Sequence, residues 1–139
     1  LQLDRQNIAD LSPLSGMQKL DFLSLKENKI SKLDPLSGLA ALRALDVSGN
    51  KIKDLSPLAA NATLENLFVS DNPIADLTPL SGLTGLSILH CKDTKVKDVS
   101  PLAGLTNLRE LMLEGNKIKD YSKLATLYPA LTTKDFTLQ

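Results

Sequence analysis

The chain has 139 residues, enough for one domain, and balances 16 Lys and Arg against 16 Asp and Glu. Zero net charge provides no field that favours nucleic acid or an anionic membrane, and with aromatics at 4% and no Trp a core built on large rings is not expected. One cysteine, Cys91, and one histidine, His90, exclude an internal disulfide and a Cys/His zinc cluster.

In chain order, Leu1, Leu3, Gln6, Ile8, Leu11, Pro13, Leu14 and Met17 begin a pattern that is already under way. Its first full copy is Leu20-x-x-Leu23-x-Leu25-x-x-Asn28-x-Ile30-x-x-Leu33-x-Pro35-Leu36-x-x-Leu39, and it recurs every 22 residues without a gap through Leu127. The expected division is an incomplete repeat 1–19, then 20–41, 42–63, 64–85, 86–107 and 108–129, with a C-terminal cap over 121–139 overlapping the last. Starting in mid-repeat on Leu1, without Met or a visible signal peptide, predicts a fragment or processed chain. No apolar run approaches the roughly 18 residues of a membrane span.

Leu23-x-Leu25 and its copies alternate with period two, which predicts a short half-buried strand in each repeat. Successive strands then stack in parallel about 4.8 Å apart, because one repeat alone cannot bury its apolar stripe. The column Asn28, Asn50, Asn72, Asn116 falls where the chain leaves the strand. An inward amide there satisfies backbone groups that the turn frees. Gln6 and Thr94 occupy the same column, and Thr94 predicts a weaker turn. Ser12-Pro13, Asp34-Pro35, Ser56-Pro57, Thr78-Pro79 and Ser100-Pro101 read as an N-cap followed by the first residue of a short 3₁₀ turn. Asn61 interrupts the Leu39, Leu83, Leu105 column, which predicts an outward bulge over 59–63. Beyond Leu127, Phe136-x-Leu138 alternates like one more strand, and Tyr121, Tyr128 and Phe136 are expected to cover the last rung. Leu1 and Leu3 are expected to be exposed.

These residues resemble the leucine-rich-repeat family. The 22-residue form with x-L-x-P-L-x-x-L is most similar to bacterial internalin-like surface proteins, and similar also to the phosphatase-regulator type. The resemblance implies an α/β solenoid: a right-handed leucine-rich-repeat superhelix with a concave parallel β-sheet and short 3₁₀ or helical turns on the convex side.

Residues flanking the two strand leucines point to the concave face in three columns: Phe22, Ala44, Asn66, Ile88, Glu110; Gln2, Ser24, Asp46, Phe68, His90, Met112; and Asp4, Lys26, Ser48, Ser70, Lys92, Glu114. The core does not need these positions. Phe68, His90 and Met112 are consecutive in one column with Ile88 beside them, a candidate binding patch. Asn66, Lys92, Glu110 and Glu114 form its polar rim, and Phe22 stands apart as an isolated aromatic.

Cys91 occupies a leucine column and reads as a small buried residue, its side chain opposite that of His90. Asp10, Asp54, Asp76, Asp98 and Asp120 form one ladder, interrupted by Lys32. Lys29, Lys51, Lys95 and Lys117, with Lys53, Lys97 and Lys119, form another. The two are expected to neutralise each other as a solvated edge, with a polyanion site as the alternative. Nothing resembles a nucleotide loop, catalytic triad or carboxylate pair, so no catalytic residue, cofactor or metal is expected. The resemblance implies a protein-binding or adhesion module of a bacterial surface or secreted protein, and a monomer is expected. Its partner would be another protein, such as one on a host or cell surface, with neither nucleic acid nor membrane insertion involved. An intracellular regulatory scaffold and a structural spacer are the competing readings.

Overall fold

A computed structural model describes residues 1–138 and forms one parallel six-stranded sheet in sequential order. Its strands are β1 (Phe22–Ser24), β2 (Ala44–Asp46), β3 (Asn66–Phe68), β4 (Ile88–His90), β5 (Glu110–Met112) and β6 (Thr133–Lys134). Register advances by the sequence period from β1 to β5: Leu23 pairs with Leu45, Leu45 with Leu67, Leu67 with Leu89 and Leu89 with Leu111. An isolated bridge from Gln2 to Ser24 adds a partial rung at the N-terminal edge. Each repeat then crosses to a 3₁₀ turn, at Ser12–Leu14, Asp34–Leu36, Ser56–Leu58, Thr78–Leu80, Ser100–Leu102 and Ser122–Leu124. The leucine columns meet between sheet and turns, where Leu23, Leu45, Leu67, Leu89 and Leu111 are fully buried. Each such burial contributes roughly 1.5–3 kcal/mol. The sequence-derived solenoid is therefore the observed fold.

The asparagine column holds the turns together. Asn50 donates from Nδ2 to Val47 O (2.8 Å) in its own rung and to Leu25 O (3.0 Å) in the preceding one, and its Oδ1 accepts from Ile30 N (3.0 Å). Asn72 repeats this with Val69 O, Val47 O and Ile52 N, and Asn116 with Leu113 O, Cys91 O and Val96 N. Thr94 is too short to do the same. Its hydroxyl stays with Cys91 O (3.5 Å), Cys91 Sγ (3.4 Å) and Asn116 Oδ1, and it bonds neither Val69 O nor Ile74 N. Gln6 does not substitute for asparagine either: its side chain is exposed and donates to Asp4 O (3.0 Å). One residue before this column the backbone must turn left-handed, at Arg5, Glu27, Gly49, Asp71, Asp93 and Gly115. Glycine takes that conformation most easily and Asp tolerates it.

The convex side departs from expectation in two ways. The Ser, Asp or Thr before each proline is the first 3₁₀ residue and makes no side-chain cap; the half-turn residues are Leu11, Leu33, Leu55, Leu77 and Val99. The cap comes from two residues earlier. Asp10, Asp54, Asp76, Asp98 and Asp120 accept from the backbone N–H of Ser12, Ser56, Thr78, Ser100 and Ser122 at 2.8–2.9 Å. The aspartate ladder is thus a column of Asx turns. Asn61 does not bulge outward. It is 1% exposed and bridges rungs, donating to Leu36 O (3.0 Å) and accepting from Gly38 N (3.2 Å). Gly38 N has no other partner among the described residues where Gly38 turns at φ +81°, and Leu36 O, which also accepts from Leu39 N (3.3 Å), gains a second bond.

The C-terminal segment follows the expected reading in outline only. The added strand is Thr133–Lys134, pairing with Glu110–Leu111, and it precedes the anticipated Phe136-x-Leu138. Thr133 lies 23 residues after Glu110, one more than the period, because the extra turn Tyr128–Ala130 intervenes. Phe136 instead stacks on Tyr121 (centroids 4.9 Å, 9° between planes) and meets Tyr128 edge-on (5.9 Å). Asp135 completes the edge: its two carboxylate oxygens accept from Leu113 N (2.7 Å) and Glu114 N (2.9 Å). In earlier rungs the amides at the Leu113 position bond a carbonyl of the following strand, as Val69 N does to His90 O. At the opposite end Leu1 is 46% exposed and Leu3 is half-buried. Residue 139 lies outside the described residues.

Two outcomes follow from this accounting. Asn72→Ala strands buried backbone groups in two rungs and lowers stability by about 3 kcal/mol, whereas Thr94→Asn supplies the missing bonds and raises it by about 1 kcal/mol; urea unfolding reads both. The capping aspartates give a pH dependence. The carboxyls of Asp10, Asp54 and Asp98 are held below the usual range, first by the backbone N–H and then by the hydroxyl of the residue two ahead. For Asp76 and Asp120 the hydroxyl is the larger cause. Folded values below the unfolded one, about 3.9, give stabilisation that is complete above it and lost as pH falls through the folded values. Asn at positions 54, 76, 98 and 120 keeps an acceptor oxygen but removes the titration, so the acid-side fall in melting temperature should flatten. An unchanged slope would assign it to other carboxylates.

Candidate functional site

Alternation within each three-residue strand sends the central leucine inward and the flanking side chains to the opposite face of the sheet. The register therefore brings the predicted residues together on β3, β4 and β5. Asn66, Ile88 and Glu110 stand side by side in one column, and Phe68, His90 and Met112 in the next. Lys92 and Glu114 follow two residues beyond β4 and β5.

Phe68 and His90 pack edge to face, with centroids 4.8 Å apart and planes at 82°. Such a pair contributes about 0.5–1.5 kcal/mol beyond its buried area. The imidazole is fixed from its other side by Glu110, whose Oε1 lies 2.5 Å from His90 Nε2. Lys92 Nζ contacts Glu114 Oε2 at 2.9 Å, and the Lys92 backbone N–H donates to Ser70 Oγ (3.0 Å). The charged part of the rim is thus paired across adjacent rungs, and Glu110 fixes the His90 ring that packs on Phe68.

Exposure differs from the simplest reading of the columns. Asn66, Phe68, Ile88, His90, Lys92, Glu110 and Met112 are half-buried, because neighbouring rungs cover part of each; Glu114 is exposed. Phe22, at the other end of the sheet, is 47% exposed and more open than the seven half-buried residues. Ser24, placed on the same face, is 3% exposed and donates to Asp4 Oδ1 (2.6 Å), so it is part of the N-terminal edge.

Cys91, beside His90 in sequence, is fully buried on the opposite face, and burial pushes its thiol up to about 11. It is a packed side chain, not a thiolate nucleophile. Among the described residues no group of three His, Cys, Asp or Glu is arranged to hold a metal ion, and no helix is long and apolar enough to cross a membrane.

Column reading missed the ion pairs that tie rung to rung. Arg5 meets Glu27 (2.5 Å) and Arg43 meets Glu65 (3.0 Å), each 22 residues apart like Lys92 and Glu114. Opposite charges at i and i+22 were the available signal. The expected pairing of the lysine and aspartate ladders is not observed. All four salt bridges among the described residues involve other side chains, because the aspartates point to the 3₁₀ turns.

The family model for leucine-rich repeats (2 copies) matches residues 18–60, 62–104 and 86–126. No curated protein matches the sequence significantly. Among solved structures, internalin C2 of Listeria monocytogenes is 38% identical with a TM-score of 0.95, covering 99% of this chain and 60% of its own. An internalin (inlF) of the same species is 25% identical, with a TM-score of 0.53, over 96% of this chain and 59% of its own. A leucine-rich-repeat protein of Leptospira interrogans is 27% identical with a TM-score of 0.84, over 94% of this chain and 35% of its own. The chain spans about three fifths of the length of the two internalins. With most of its repeats matched by the family model and its backbone so near that of an internalin, the chain belongs to the leucine-rich-repeat family, in its internalin-like form.

Proposed function

We propose that the chain is a non-enzymatic protein-binding module of a bacterial surface or secreted protein, and that it binds through the concave sheet face around Phe68, Ile88, His90 and Met112. The observation that carries this reading is the aromatic pair Phe68–His90, held by Glu110 within a rim of Asn66, Lys92 and Glu114. Side chains fixed before binding lose little conformational entropy on association, which raises affinity for a given contact area. An apolar centre with a polar rim is also the usual anatomy of a protein interface. Likeness to internalin C2 supports an extracellular or cell-surface setting. In this reading the repeats over 1–127 present the surface and 121–139 closes their end, supported by β6 and the Tyr121–Phe136 stack. The module acts as a monomer.

The test places a photo-crosslinking amino acid at position 88 and, as a control, at the convex position 59, and exposes each protein to surface-protein extract. A saturable adduct from position 88 alone is expected, lost in Phe68→Ala/Met112→Ala. Because both side chains are half-buried, the double variant loses about 1–2 kcal/mol of stability, less than the roughly 2–5 kcal/mol for a fully buried leucine such as Leu67→Ala. Equal labelling from both positions would mark the chain as a spacer. A stability loss as large as that of Leu67→Ala would make the patch part of the core.

A further inference from the structure

Away from the sheet face, Lys95, Lys97, Lys117 and Lys119 form a two-by-two block on the edge where the rungs leave the sheet. Val96 lies between the first two and is fully buried, so both flanking side chains turn outward; Ile118 sits between the second two, half-buried. Lys117 N donates to Val96 O (3.1 Å), which joins the two rungs here and sets the paired lysines about 4.8 Å apart at the backbone. All four are exposed. Lys97, Lys117 and Lys119 line a groove of about 350 Å³. None of them takes part in a salt bridge among the described residues. The adjacent Asp98 and Asp120 are held by Ser100 N and Ser122 N. Lys123, where the other full repeats have proline, lies close enough to act on both carboxylates.

Four like charges packed at rung spacing repel one another unless an anion lies among them. We propose that this block binds a linear sulfated polysaccharide, with its sulfates on Lys95, Lys97, Lys117 and Lys119. The block measures one rung spacing, about 4.8 Å, along the solenoid axis and two extended residues, about 6.6 Å, across it, so neighbouring sulfates of one sugar chain reach all four lysines. Lysine acts as a compact point charge that follows a flexible polyanion, without the planar fork of arginine. Asp98 and Asp120 separate the polyanion classes. Held at the block's border as acceptors, they take hydrogen bonds from sugar hydroxyls and repel a chain that offers only phosphate oxygens. No lysine of the block is interleaved with an aromatic ring on which bases would stack. Pro73 and Ala75 interrupt both lysine columns one rung earlier, so the block is separate from Lys29, Lys51 and Lys53. The groove near Lys51 and Lys53 also contains Asp34 and Asp54 and is mixed in charge.

Calorimetric titration of the chain with a heparin-derived octasaccharide tests this, with its desulfated counterpart and a polyphosphate of equal charge as the other arms. Saturable binding is expected for the sulfated sugar, with polyphosphate at least about tenfold weaker and the desulfated sugar silent. Changing all four lysines to Gln weakens binding roughly 30-fold and makes it less sensitive to salt, and Lys97→Gln/Lys119→Gln alone gives about fivefold. Lys29→Gln/Lys51→Gln/Lys53→Gln and Phe68→Ala/Met112→Ala leave it unchanged, which keeps this site distinct from the sheet face. Absence of saturable binding at physiological ionic strength, equal or tighter binding of polyphosphate, or indifference to the four substitutions would each overturn the proposal.

Discussion

Asn28, Asn50, Asn72 and Asn116 each make hydrogen bonds in two rungs at once, and the remaining architecture depends on that sharing. A chain that turns out of a three-residue strand leaves buried backbone donors and acceptors, where unpaired groups are costly. One amide satisfies both kinds and needs the adjacent rung in register to do it. The leucine columns supply most of the stabilisation, but they are non-directional. The amide ladder and the strand ladder impose the constant 22-residue step that keeps every column, buried or exposed, in line.

That constraint explains why so much of the fold was legible in the sequence. A period repeated without gaps fixes strand register directly, so the alignment of Leu23, Leu45, Leu67, Leu89 and Leu111 follows from the sequence alone. Departures arose where a side chain serves a local backbone need that the period does not reveal. Asn61 read as a defect in an apolar column, yet it fills the hydrogen-bonding gap at Gly38. The serines and threonines before proline read as caps, but the bonding oxygen belongs to the aspartate two residues earlier. At the C-terminus the inserted turn Tyr128–Ala130 moved the last strand ahead of Phe136, and hydrophobic alternation alone carries no sign of that insertion.

The candidate site was legible as a set of positions and not as a set of interactions. Columns place Phe68, His90 and Met112 side by side, but the edge-to-face contact and the bond to Glu110 depend on rotamers that no spacing encodes. Partial burial of the patch follows from the same close rung spacing, which lets each side chain cover the next. Charges behaved likewise. Pairs at i and i+22, such as Arg43 with Glu65, bridge adjacent rungs, whereas the lysine and aspartate ladders part because the 3₁₀ turns claim the carboxylates.

Amide hydrogen exchange at Ile52, Ile74 and Val96 tests the shared-amide account most directly. The three side chains are fully buried in one column. Ile52 N–H bonds Asn72 Oδ1 and Val96 N–H bonds Asn116 Oδ1, while Ile74 N–H faces Thr94 and bonds no partner among the described residues. The account predicts slow exchange at Ile52 and Val96, governed by opening of the whole solenoid, and faster exchange at Ile74 through local opening. Equal protection at all three would show that burial alone holds the rungs and would contradict it.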